Sequence, residues 1–293
     1  MHAVILTFPG HFFQTLLSIK TLIDFYPEVN AVSFVLDDIN KSPWNNYPDN
    51  FEKSLNDLID IKCKIYQTSK IDQFDKCVSG WWRQQLVKLS LDKILDGEQW
   101  FVVDGDTIFA TRCEIENVVP ITRRSDHESN FSKMSVNYVS TLLGTTQGCL
   151  LDDGVQICTN AIPFRLMDRS LLEMLRRHVE SKFNKEFIQL HLDWFNDQTI
   201  VADFNPPIKM VMSEWELIEC YRRYVLGINW PFVEIGSGYG TDVDLTRVDT
   251  KNLFRHSYKR DTEIGKSWFQ QQGLKINDDI WQRQSEWYLQ KQR

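Results

Sequence analysis

VVDGDTIF, residues 102–109, sets two aspartates, Asp104 and Asp106, around one glycine directly after an apolar run. With Trp100 and Phe101 that run reads as a buried strand ending in carboxylates. The chain turns apolar again within two positions, so the acids occupy a turn rather than a solvated face. Two carboxylates two residues apart on a turn can converge on one hard divalent cation, and the glycine lets backbone approach a ligand closely. Cations held this way complete their coordination with substrate phosphates. Strand termination alone is the competing explanation, because aspartate hydrogen-bonds turns.

Working upstream, AVILTF reads as a first strand, and a helix follows with Phe12, Leu16, Ile19 and Ile23 at helical spacing. AVSFVLDD (31–38) reads as a second strand ending in acids, FEKSLNDLIDI (51–61) as a helix, and KCKIYQ (62–67) as a third strand. SGWWRQQLVKLSLDKIL (79–95) reads as one strong helix with Trp82, Leu86 and Leu89 on a stripe. WFVVDGD is then the fourth strand. This alternation predicts an α/β fold with a mostly parallel, helix-covered sheet. Ligands of such sheets sit beyond the carboxyl ends of the strands, where Asp37, Asp38, Asp104 and Asp106 fall.

Downstream the pattern is less regular. VVPITRR (118–124) reads as a strand and Ser125 to Tyr138 as a polar loop. A helix is expected from about Asp168 as N-cap, and another from Ser213, where Ser213 and Glu216 match a capping box. INWPFVEIGSG and TDVDLTRV read as short strands around a glycine-rich turn, and the tail from Lys266 as peripheral helix. No repeat or low-complexity linker interrupts the chain, so one compact fold is expected.

Composition narrows the function classes. The chain has 293 residues, 42% of them hydrophobic, enough to bury a sizeable core. A formal charge of -7 argues against a general nucleic-acid coater. No apolar run reaches membrane-span length, and MHAVILTFPG lacks the basic stretch and cleavage pattern of a signal peptide. Six cysteines without metal-ligand spacing fit a reduced, cytoplasmic setting. There is no P-loop, no G-x-G-x-x-G after the first strand and no G-x-S-x-G elbow. GSGYG at 236–240 reads as a turn. Dehalogenase-type phosphatases place paired aspartates after the first strand, with a threonine four residues after the first Asp; position 108 is isoleucine.

LTFPGHF, SGWWRQQLVKL, VVDGDTIF, PFRLMDRSLLEML and SEWELIECY, in that order, resemble the DUF6492 group of GT-A-type glycosyltransferases over roughly residues 1–260. The resemblance implies a GT-A-like single domain with a Rossmann-like, mostly parallel sheet. It implies a nucleotide-sugar transferase using Mn²⁺ or Mg²⁺ at Asp104 and Asp106. Residues 1–124 would hold the nucleotide sugar, 125–260 the acceptor, and 261–293 would be a peripheral helical tail. A UDP-sugar is the first expectation for the donor, and a glycan or small molecule for the acceptor. The acceptor-side segment reads PFRLMDR where the family pattern has one or two histidines before the acid, which leaves the role of Arg165 open.

Thr7 and His11 flank the end of the first strand, a natural nucleotide location; His11 equally suits a helix start. Arg83 and Lys88 are the polar members of the 79–95 helix that can reach phosphate or sugar, and a solvated helix face explains them equally well. The resemblance implies His256 as a third metal ligand and Lys259 on the β-phosphate, with His127 as rival to His256; histidine favours Mn²⁺. His178 and His191 read as ordinary helix or surface residues. An inverting transferase needs a general base on the acceptor hydroxyl. Glu214 is the first choice and Asp153 the second, although acids are favoured in any first helical turn. A metal-dependent nucleotidylyltransferase or phosphatase, or a non-catalytic carbohydrate- or partner-binding domain, fits the same acids and aromatics.

Overall fold

The computed structural model describes residues 1–7, 12–39, 55, 61–71, 73–77, 80–105, 107–109, 112, 115–123, 130–145, 150–152, 155–158, 164–197, 210–234, 237–238 and 254–256. The chain forms two compact units. The first comprises Met1–Tyr66, Val103–Cys113 and Gly236–Arg293, and the second Gln67–Val102 and Glu114–Ile235. The strands are β1 (His2–Thr7), β2 (Ala31–Leu36), β3 (Lys62–Gln67), β4 (Gln99–Asp104), β5 (Thr107–Phe109), β6 (Val119–Arg123), β7 (Leu150–Asp152), β8 (Val155–Cys158), β9 (Phe164–Asp168), β10 (Phe232–Glu234), β11 (Ser237–Gly238) and β12 (Phe254–His256). The central, mostly parallel sheet has the order β3-β2-β1-β4-β9.

In the first unit, β1 and β2 are buried over their last five residues and pair in parallel from His2↔Ala31 to Thr7↔Leu36. Continuous apolar runs of this kind suit strands covered on both faces. β3, with its alternating exposure, is the edge. Helix α1 (Phe12–Phe25) buries Leu16, Ile19 and Leu22 together with Thr15, Ser18 and Thr21. The small polar residues admit backbone: Thr21 Oγ1 accepts from the Phe109 N–H at 3.1 Å, and Thr7 and Thr15 share a 2.6 Å hydrogen bond. A three-stranded sheet, β11-β12-β5, completes the described part of the unit.

The second unit contains α2 (Gly80–Lys88), α3 (Leu91–Ile94), α4 (Asn130–Leu143), α5 (Arg169–Phe183), α6 (Phe187–Asn196) and α7 (Glu214–Cys220), with a four-stranded sheet of order β10-β6-β8-β7. Two arginines on α5, Arg176 buried and Arg169 partly exposed, tie the elements together. Arg176 pairs through both terminal nitrogens with the Asp92 carboxylate. Arg169 donates to the carbonyls of Gly97 and Asp92, each at 2.7 Å, and to that of Leu95, and packs over Trp100.

Three sequence expectations need correction. The single helix over 79–95 breaks at Leu89–Ser90. No breaker residue causes this: the Leu89 carbonyl takes Arg176 Nη1 at 3.4 Å, and Ser90 has a non-helical backbone. The polar loop expected to Tyr138 is instead helix α4 from Asn130, whose buried Met134, Ser135, Tyr138, Val139 and Leu142 repeat at helical spacing beneath exposed Lys133, Asn137 and Thr141. Phe164–Asp168, to which the sequence reading gives no element of its own, is the sheet strand β9. Asp168 is the residue before α5, but its side chain accepts from Gln99 Nε2 at 2.8 Å rather than capping the helix. Of the helix expected over 51–61, Leu55 is helical and Ile61 is a bend; its other residues, TDVDLTRV and the tail lie outside the described residues.

Gly105 carries the tightest constraint in the first unit. Its N–H donates to the Leu6 carbonyl at 2.9 Å. A Cβ there would stand 2.6 Å from that oxygen, 2.9 Å from Thr15 Oγ1 and 3.0 Å from Thr7 Cβ. Backbone on one side leaves little room to yield, so Gly105→Ala is expected to lower stability by about 1–3 kcal/mol. Urea denaturation of the two proteins checks this; an unchanged midpoint would contradict it.

Candidate functional site

The carboxyl ends of three neighbouring strands meet in the first unit. The Asp37 N–H donates to the Thr7 carbonyl at 2.8 Å, while Gly105 bonds the preceding residue, Leu6, at 2.9 Å. Asp37 and the Asp104–Gly105 turn therefore flank the end of β1, as doubly wound sheets arrange their ligand-binding edges. Asp104 is half-buried and Asp37 buried. Thr7, expected near the nucleotide, is buried with its hydroxyl engaged by Thr15.

The chain returns to this turn much later in the sequence. Strand β12 pairs antiparallel with β5 in the register Phe254↔Phe109, Arg255↔Ile108 and His256↔Thr107. His256 thus lies opposite the residue that follows Asp106. A carboxylate pair with an imidazole is a donor set suited to Mn²⁺. Among the described residues no group of three or more His, Cys, Asp or Glu is gathered closely enough to hold a metal ion. Asp106, His11 and Lys259 lie outside the described residues, as does His127, the rival to His256.

In the second unit, helix α7 buries three acids, Glu214, Glu216 and Glu219, each met by a different element. Lys88 of α2 donates to Glu214 Oε1 at 2.7 Å, with both side chains under one-tenth exposed. Its ammonium also sits 4.8 Å from the Trp215 ring centroid. Ser135 of α4 donates to Glu216 Oε2 at 2.6 Å; the capping box read from Ser213 and Glu216 is not formed as such, for Ser213 makes no side-chain cap. Glu219 Oε2 accepts from Arg222 at 2.8 Å, and its Oε1 stands 3.7 Å from Arg165 Nε. Two residues that the sequence marked separately, Lys88 and Glu214, are therefore one ion pair across 126 positions. Arg83 is fully buried and donates to the Cys77 carbonyl, not on a solvated helix face. Asp152 pairs with Val155, so Asp153 and Gly154 connect β7 to β8 and fall outside the described residues; Asp-Gly at that spacing is a hairpin-turn signature.

His191, read as an ordinary helix or surface residue, is fully buried on α6. Its Nδ1 lies 2.7 Å from the Phe187 carbonyl, which can only accept, so Nδ1 carries the proton and Nε2 accepts from the Tyr138 hydroxyl at 3.0 Å. Burial lowers the His191 pKa to about 4. Burial, then the Glu214 charge, raise that of Tyr138 well above the ordinary phenol value.

Fold and site define an α/β protein with acids gathered at the carboxyl ends of its central strands. The chain belongs to the DUF6492 family, described as a family of unknown function, which matches residues 49–285. No curated protein matches the sequence. Among solved structures, mouse xyloside xylosyltransferase 1 in its apo form is similar with a TM-score of 0.44 and 9% identity, covering 80% of this chain and 84% of that one. The galactosyltransferase LgtC with donor and acceptor sugar analogues is similar with a TM-score of 0.45 and 12% identity, covering 97% of this chain and 100% of that one. No described helix is long and apolar enough to cross a membrane.

The buried imidazole makes stability depend on pH. The unfolded chain protonates His191 near pH 6.5 and the folded chain near 4, so its contribution is full above 6.5 and is lost as pH falls through about 4. The difference amounts to about 3 kcal/mol. Denaturation curves between pH 7 and 4 are expected to fall more steeply for the wild type than for His191→Gln; parallel slopes would contradict the assignment.

Proposed function

We propose that the chain is a metal-dependent glycosyltransferase that moves a sugar from a nucleotide-diphosphate sugar, UDP-linked in the first instance, to an acceptor hydroxyl with inversion. The observation that carries this reading is the return of β12, which pairs His256 with Thr107, two residues beyond the Asp104–Gly105 turn. Asp104, Asp106 and His256 are the residues that would hold Mn²⁺ or Mg²⁺, with the donor diphosphate completing the shell. Such a cation offsets the negative charge that collects on the departing nucleoside diphosphate.

The chain's own groups supply the rest of the proposed chemistry. Gly105 fixes the turn by its bond to Leu6, so Asp104 leaves the sheet at a defined place. Lys259 is the cation proposed for the β-phosphate. Glu214 is proposed as the base that takes the acceptor hydroxyl's proton, with Lys88 as its counter-ion and Asp153 as the alternative base. That ion pair ties Lys88 to acid positioning more directly than to the nucleotide contact expected from sequence.

The pair also alters how the base assignment is tested. A helix-dipole contribution alone would cost about 0.3–1 kcal/mol on Glu214→Gln. Weakening a buried ion pair can cost up to about 3–5 kcal/mol, so rates must be measured on the folded fraction. With a panel of nucleotide sugars and Mn²⁺, the wild type is expected to release nucleoside diphosphate. Folded Glu214→Gln should turn over roughly two to four orders of magnitude more slowly, with nucleotide affinity unchanged. Release of pyrophosphate would indicate nucleotidyl transfer instead, and wild-type turnover in folded Glu214→Gln would remove it as the base.

A further inference from the structure

Helix α7 does not end as an α-helix. It runs into a π-helical turn, Tyr221–Val225, in which the Leu226 N–H bonds the Tyr221 carbonyl at 3.1 Å. The turn closes at Gly227, with φ of +69°, and the Ile228 N–H reaches back to the Arg222 carbonyl at 3.0 Å. Such turns insert one extra residue into a helix, weaken its hydrogen-bonding and recur at functional sites. Here the inserted turn carries Arg222.

The Arg222 side chain is only partly used by the protein. It is 3% exposed, Nη1 donates to Glu219 Oε2 at 2.8 Å, and the Trp230 ring centroid lies 3.8 Å from Cζ. Among the described residues, Nη2 is buried without a hydrogen-bond partner. Glu219 does not take it, since its Oε1 faces Arg165 Nε at 3.7 Å. A buried guanidinium cannot lose its charge, and an unmade charged hydrogen bond is costly, so the open edge calls for an acceptor. The planar fork favours an oxyanion over a neutral carbonyl, because charge assistance roughly doubles the strength of the bond. Trp230 covers one face of the cation and is itself only partly buried.

We propose that Arg222 is an oxyanion-binding residue whose Nη2 takes a carboxylate or phosphate oxygen of a small ligand. If the chain is the transferase proposed above, and only this clause rests on that reading, the ligand is the acceptor and it carries an acidic substituent.

The test needs neither nucleotide nor metal, so its outcome is independent of the transferase reading. Inorganic phosphate, glucuronate and, as a neutral control, glucose are titrated into the whole chain by calorimetry at fixed ionic strength. Saturable binding of phosphate or glucuronate but not glucose is expected, and which of the two binds identifies the acid. Arg222→Lys keeps the buried charge but loses the fork, and should weaken binding about ten- to a hundredfold. Glu219→Gln removes the competing carboxylate and should tighten it. No saturable binding by either anion overturns the proposal, as does binding that both variants leave unchanged; an ordered water would then satisfy Nη2.

Discussion

The first unit depends on one close approach. Gly105 lies against β1 with no space for a side chain, its N–H on the Leu6 carbonyl and its α-carbon facing Thr7 and Thr15. The stripe of small polar residues on α1 exists to allow this, since Thr15 meets Thr7 and Thr21 takes the backbone of Phe109. The backbone hydrogen bond to Leu6 and the close walls of Thr7 and Thr15 together hold the chain where Asp104 leaves the sheet. β5 follows at once, and β12 pairs with it. His256, 150 positions downstream of Asp106 in the sequence, is thereby paired with Thr107.

The second unit solves a different problem. Helix α7 carries three carboxylates that would each be costly to bury alone. Lysine from α2, serine from α4 and arginine from the π-turn meet them in turn. Buried ion pairs of this kind contribute little net stability compared with apolar packing. Their concentration on one seven-residue helix is better understood as fixing the positions of particular oxygens and nitrogens, which is what a binding or catalytic surface requires.

How much of this could be read from the sequence follows from how local each cause is. β1, α1, β2, β3 and β4 were legible because apolar runs and helical spacing are encoded within a dozen residues, and Asp-Gly-Asp stood out for the same reason. Helix α4 was hidden because serines and asparagines scattered through its sequence imitate a loop, while its buried face repeats through Met134, Ser135, Tyr138, Val139 and Leu142. The break at Leu89–Ser90 had no local signal at all; Arg176, far along the chain, supplies the competing hydrogen bond. Lys88 and Glu214 were each visible as polar residues on helices, but their pairing is a tertiary fact. Of the signals that were missed, the Tyr138–His191 bond was the most recoverable, because a histidine between two leucines on an amphipathic helix invites a buried partner.

The central claim is that the Asp-Gly-Asp turn binds a nucleotide diphosphate through a divalent cation. Calorimetric titration of UDP and GDP into the wild type and Asp104→Asn, with and without Mn²⁺, tests it most directly. The account predicts nucleotide binding that requires Mn²⁺ and weakens by about tenfold or more in Asp104→Asn. Equal affinity of the two proteins in saturating Mn²⁺ would contradict it.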